Sequence, residues 1–233
     1  MKTIEIDIAD TIIDRPVGFT VGRRHFYLYP LTLGKHYLLQ RTIESLCIDR
    51  KSLVENPFAE ALRLASIKKE ECITLITYHS LQTKKELLSN RNVTIRKNLF
   101  KQELSTEDIA TLTMACLTRD KTDQIARHLG IDKETERMKR VVAVKEDTNT
   151  YQFGGVSIYG SIIDSACERY GWSFDYVVWE ISYTNLQLML KDSVKSVYLT
   201  DEEAKRCAIP KQSAVNGNDY ETTMQYISSQ RWD

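Results

Sequence analysis

Four histidines, five cysteines and a Gly-Lys pair are the side chains in this sequence most able to carry chemistry, and their spacing speaks against most of it. His25, His36, His79 and His128 lack the i, i+4 or short-loop spacing that metal ligands show, so no metal site is expected. Cys72 and His79 fall on one expected helix face and suggest a thiol with its base. Two helical turns separate them by about 10 Å along the axis, beyond hydrogen-bond reach. Gly34-Lys35 lacks the upstream glycine and following hydroxyl of a phosphate loop, Gly154-Gly155 lacks a Rossmann frame, and no Gly-x-Ser-x-Gly occurs. Asp164, Glu168, Asp175 and Glu180 read as solvated helix surface. The expectation is a non-enzyme without cofactor.

Residues 122–142 offer another chemistry, the reading of duplex DNA by a helix-turn-helix. Ile125, Ala126, Leu129, Gly130 and Ile131 fit a first helix and turn, where a small residue lets two helices approach and Gly accepts a left-handed backbone. The second helix fits poorly, because the positions where that motif buries a branched apolar side chain fall on Glu136 and Lys139. Lys133, Arg137, Lys139 and Arg140 could meet phosphate, and a solvated basic face explains them equally well.

Composition narrows the class further. The chain has 233 residues, enough for one sizeable core without disulfide or metal, and its 32 basic and 32 acidic residues predict no global pull toward nucleic acid or anionic membrane. Cys47, Cys72, Cys116, Cys167 and Cys207 are odd in number, widely spaced and free of any CxxC pair, which suits a reducing compartment. Residues 1–7 carry charge where a signal peptide would carry an apolar core, and nowhere do eighteen apolar residues run together. A soluble intracellular protein is expected.

The elements that must hold these residues follow from periodicity. Residues 3–8 alternate with a period of two, and residues 21–28 offer a second strand. Pro30 ends that pattern. A helix then carries Tyr37, Leu38, Ile43 and Leu46; another, opened by the cap Asn56 and Pro57, carries Phe58, Ala61, Leu62 and Ala65. Cys72, Ile73, Ile76 and His79 make the next face, and Ser105 with Asp108 forms a capping box ahead of Ile109 and Leu112. The fold expected is mainly α with a small N-terminal β element. It comprises a β-hairpin or small sheet over 1–30, a bundle-like helical body over 31–144, a linker over 145–159, C-terminal helices over 160–209 and a polar tail over 210–233.

The C-terminal helices hold the sequence's densest aromatic stretch. Tyr170-Gly171 ends one helix, Ser173 caps the next, and Asp175 lies in its first turn, where the helix dipole favours negative charge. Phe174, Val177, Val178 and Ile181 share a face. Apolar side chains crowded into two short helices serve either a core or a partner, and Trp is enriched in interfaces. Trp172, Phe174, Val178, Trp179, Met189 and Leu190 are the candidate partner-binding residues.

Two segments resemble the tail assembly chaperones of long-tailed bacteriophages. One is the strand pair leading into Tyr29-Pro30-Leu31-Thr32-Leu33-Gly34-Lys35; the other is Tyr170-Gly171-Trp172-Ser173 followed by Val177, Glu180, Ile181 and Leu186. The resemblance covers about a fifth of the chain. It implies a protein of the host cytoplasm that keeps the helical tape measure protein soluble and helps tail tube subunits polymerise around it. It brings no catalytic residue and no cofactor. The alternatives are a structural virion or neck component, and a small DNA-binding regulator using residues 122–142.

Overall fold

The change of period from two to 3.6 at Pro30 is a change from strand to helix in the structure, a computed structural model that describes residues 8–144, 157–193, 197 and 199–207. The fold is mainly α with a small two-stranded antiparallel sheet near the N-terminus. β1 (Val17–Val21) pairs with β2 (Arg24–Leu28) in the register Phe19↔Phe26 and Val21↔Arg24. Where one strand is expected over 21–28, the chain instead turns at Gly22 and Arg23. Gly22 has φ 59°, the left-handed backbone that a two-residue hairpin loop requires at its first position. The strand expected over 3–8 lies outside the described residues except for Ile8, which is helical, in α1 (described over 8–12).

Helices follow in quick succession: α2 (Leu33–Leu46), α3 (Arg50–Glu55), α4 (Pro57–Ile67), α5 (Lys69–His79), α6 (Lys84–Leu87), α7 (Asn90–Glu103) and α8 (Thr106–Leu117). Their starts obey the local chemistry of orphan N–H groups. Ala59 N donates to Asn56 Oδ1 at 3.1 Å, with Pro57 at the first helical position, and the Ser105 and Asp108 side chains each accept from the other's backbone N–H at 3.1 Å. After α9 (Thr122–His128) and α10 (Ile131–Val144) come α11 (Ile158–Tyr170), α12 (Phe174–Trp179), α13 (Tyr183–Lys191) and α14 (Asp201–Arg206). Gly171 ends α11 at φ 65°, and Tyr176 N donates to Ser173 Oγ at 3.2 Å to start α12.

The main core lies where α4, α5 and α8 pack together, with α2 and α7 against α5. Leu39, Leu64, Ile73, Ile76, Phe100 and Ile109 are fully buried there, and each such side chain contributes about 1.5–3 kcal/mol relative to exposure. Phe19 and Phe26 seat the hairpin on this core, their rings 5.7 and 5.3 Å from that of Phe100. Two helix faces match expectation in part. In α2 Leu46 is core and Ile43 packs against it, with Leu39 added to the core, Leu38 half-buried and Tyr37 exposed; in α4 Ala61 and Ala65 are core, with Leu64 added and Phe58 exposed. Glu60 is buried on the same helix, and its Oε1 accepts from Asp49 N at 2.9 Å and from Arg63 Nη2 at 2.6 Å. A charge so paired tolerates burial.

The chain divides into two compact units, Met1–Asp132 with Gln152–Ser193, and Lys133–Tyr151 with Val194–Asp233. The first holds the hairpin, the core and both regions described next. In the second, α14 starts with a capping box between Thr200 and Glu203. The tail expected over 210–233, and residues 145–156 of the expected linker, lie outside the described residues.

Candidate functional site

The segment leaving the hairpin, residues 28–31, has no strand partner beyond β1, so its carbonyls must find donors elsewhere. Each goes to a different element. Arg119 Nη1 donates to Leu28 O at 2.7 Å, His79 Nδ1 to Tyr29 O at 3.2 Å, Lys35 Nζ to Pro30 O at 3.3 Å, and Tyr183 N to Leu31 O at 2.7 Å. Tyr29 N returns a bond to His79 O at 2.7 Å, and Arg119 Nη2 also donates to Arg15 O. A carbonyl only accepts, so Nδ1 is the protonated nitrogen of His79.

Burial shapes the chemistry of these groups. Desolvation, aided by the Lys35 charge, pushes the His79 pKa down to about 3, so the ring is neutral. Desolvation and the Arg119 guanidinium lower Lys35 to about 7, and desolvation raises the Cys116 thiol to about 12. A thiol held that high is not a nucleophile at neutral pH. The imidazole, ammonium and guanidinium are engaged in holding backbone carbonyls. Beside them lies a cavity of about 350 Å³ whose walls include Arg15, His79, Cys116, Arg119, Asp120 and Tyr183. Among the described residues no group of three His, Cys, Asp or Glu side chains is placed to hold a metal.

The segment over 170–186 packs on the one over 29–35. A β-bridge joins Thr32 to Ser182, and the His36 ring stacks on Tyr183 with centroids 5.4 Å apart. The Trp179 ring covers Gly34 so closely that a Cβ there would sit 2.5 Å from it. Gly34 is thus fixed by contact rather than by backbone angle. Lys84 braces the same corner, its Nζ 2.9 Å from Asp175 Oδ1 and 5.9 Å from the Trp179 ring centroid.

A groove of about 430 Å³ opens between α1, α9, α12 and α13. Ile8, Ile12, Leu129, Trp172, Tyr176 and Met189 line it together with the buried Ile125, Ile131, Ile181 and Leu188. The side chain of Asn185 on α13 hangs α1 in place: its Nδ2 lies 3.1 Å from Thr11 O, 3.2 Å from Ile12 O and 3.0 Å from Asp14 Oδ1. Tyr170 stacks on Trp172 with centroids 4.6 Å apart, Tyr176 meets Trp172 edge-on at 5.1 Å, and Tyr170 Oη donates to Met189 O at 3.0 Å. Despite this scaffold, Ile12 is 61% exposed and Leu129 55%. Apolar side chains left open on a hydrogen-bonded frame can bind another apolar surface and do little else.

Of the six candidate partner-binding residues, Trp172 and Met189 line this groove, and Phe174 is exposed at the start of α12. The other three are engaged within the protein. Val178 is buried, Trp179 lies over Gly34, and Leu190 packs on the cluster of Ala166, Val177, Ile181 and Leu186. Ile8, Ile12, Leu129 and Tyr176 were missed because they come from separate helices and share no spacing. Lys35 had a signal: it precedes Leu39, Ile43 and Leu46 at i+4, i+8 and i+11, on the core face of α2.

The helix-turn-helix candidate is built as α9, a turn with Gly130 at φ 78°, and α10. Lys133, Arg137, Lys139 and Arg140 are exposed, with Arg137 Nη1 3.6 Å from Glu134 Oε2. Glu136 and Lys139 are exposed too, where a DNA reader's second helix would bury apolar side chains. No protein-family model matches the chain, and no curated protein or solved structure does either.

Proposed function

We propose that this protein acts by binding rather than catalysis, as a chaperone that shields an amphipathic helical client, and that its setting is tail assembly of a long-tailed bacteriophage in the host cytoplasm. The observation that carries the binding role is the open apolar groove between α1, α9, α12 and α13, with Ile12, Leu129, Tyr176 and Met189 exposed on a frame that Asn185 and Tyr170 hold in place. An amphipathic helix laid in such a groove buries its apolar stripe against these side chains, which is how a coiled-coil client would be kept from aggregating. The phage setting rests on the two resembling segments, which pack against each other at Gly34 and Trp179 and at Thr32 and Ser182. Among the described residues no helix is long and apolar enough to cross a membrane.

The client in this reading is the tape measure protein, with tail tube subunits as secondary partners. Co-expression of the chain with tape measure segments tests it. The expected result is a soluble complex lost in Met189→Glu, and absence of the chain from finished particles. Retention in mature particles would favour a structural component instead, and salt-sensitive duplex binding lost in Arg137→Ala would favour a DNA regulator.

A further inference from the structure

The groove carries charge as well as apolar surface, and the charge has one sign. Asp14, Glu180 and Asp192 are among its lining residues, and among the described residues no Lys, Arg or His lines it. Asp14 is fixed by Asn185 Nδ2 at 3.0 Å, while Glu180 and Asp192 are exposed at the edges. Asp192 is also the C-cap of the nine-residue helix α13, where unpaired carbonyls add negative potential to its carboxylate. The nearest basic side chain on that helix, Lys191, is turned to Asp123, with Nζ 3.0 Å from Oδ1. A helix with acidic flanks would meet repulsion on these edges; one with basic flanks would meet attraction.

Resting on the docking role proposed above, we propose that the groove selects an amphipathic helix whose apolar stripe is bordered by Lys or Arg. The apolar floor supplies most of the affinity and the carboxylates supply the discrimination. The recognised partner is therefore a basic-flanked helical segment of a client protein, seated with its cationic borders over Asp14, Glu180 and Asp192.

The experiment uses the full chain and two synthetic helices with one apolar stripe, bordered by Lys in one and by Glu in the other, titrated by fluorescence anisotropy at low and high salt. The Lys-bordered helix is expected to bind on the order of tenfold more tightly at low salt, with the preference shrinking as salt screens the edges. The double variant Glu180→Gln, Asp192→Asn, which leaves the Asp14–Asn185 bond intact, should remove most of the preference. Met189→Glu reports on the groove itself. Equal binding of both helices, abolished by Met189→Glu, overturns the charge rule and leaves the docking role standing. Failure of both helices to bind overturns both. Self-association of the chain that Met189→Glu abolishes would assign the groove to a second copy and overturn the proposal.

Discussion

The junction around residues 28–35 and the groove beside α13 lie in one compact unit and spend their side chains in opposite ways. At the junction, groups capable of chemistry are buried and engaged: Lys35, His79 and Arg119 each hold a carbonyl of one short segment. In the groove, side chains incapable of chemistry are left open: Ile12, Leu129, Tyr176 and Met189 face solvent on a frame of hydrogen bonds. An unpaired buried carbonyl costs about 1–3 kcal/mol, which explains why ionisable groups are drawn to the junction. Nothing comparable requires apolar side chains to stay outside. The exposed apolar surface is therefore the better guide to function, and the buried polar cluster the better guide to stability.

The largest expected effect lies at Lys35. Its amine holds a proton up to pH 10.5 in the unfolded chain and only to about 7 in the folded one. Between those values the unfolded state binds more protons, so folding stability should rise with pH by about 1.4 kcal/mol per unit. The cost of the buried charge is complete below the folded pKa. Lys35→Met removes this dependence, so urea unfolding of the two proteins at neutral and alkaline pH should show a difference that changes with pH in the wild type's favour. A constant difference would mean that the junction is wetter than its geometry implies.

Next comes Trp179→Ala, which takes the ring off Gly34 and should cost about 3 kcal/mol of stability. Client affinity per folded molecule should not change. A loss of binding without a loss of stability would move Trp179 from the junction to the docking surface and break the comparison. Arg119→Met should follow at about 2 kcal/mol, since it leaves Leu28 O and Arg15 O without their donor, and thermal unfolding would detect it. The smallest change in stability belongs to the groove. Tyr176→Ala, which removes the edge contact on Trp172, should shift unfolding by about 1 kcal/mol yet weaken client binding by about 1–2 kcal/mol, measured by calorimetry on the same preparation.

Much of the local structure was legible in the sequence. Ser105 with Asp108, Asn56 with Pro57, Gly171 and Ser173 mark helix ends by chemistry that acts within three or four residues, so they are read correctly without any knowledge of the fold. The mainly helical class with an early β element followed from the change of period at Pro30. The hairpin turn was missed because residues 21–28 were read as one strand, whereas Gly22 lies in the loop between two. The roles of Val178 and Leu190 were open because one apolar stripe serves a core or a partner equally well, and only the packing of α11, α12 and α13 decides between them.

What tertiary structure alone decided is which distant residues meet. Lys35 on α2, His79 on α5 and Arg119 in the loop between α8 and α9 converge because four consecutive carbonyls needed donors. Ile8, Leu129, Tyr176 and Met189 converge because Asn185 ties α1 to α13. Short-range caps and periods are written in sequence neighbours, so the sequence determined the elements and their ends. Burial and charge at a site depend on contacts between residues far apart in the chain, so only the folded arrangement could make a buried lysine structural and an exposed isoleucine available to a partner.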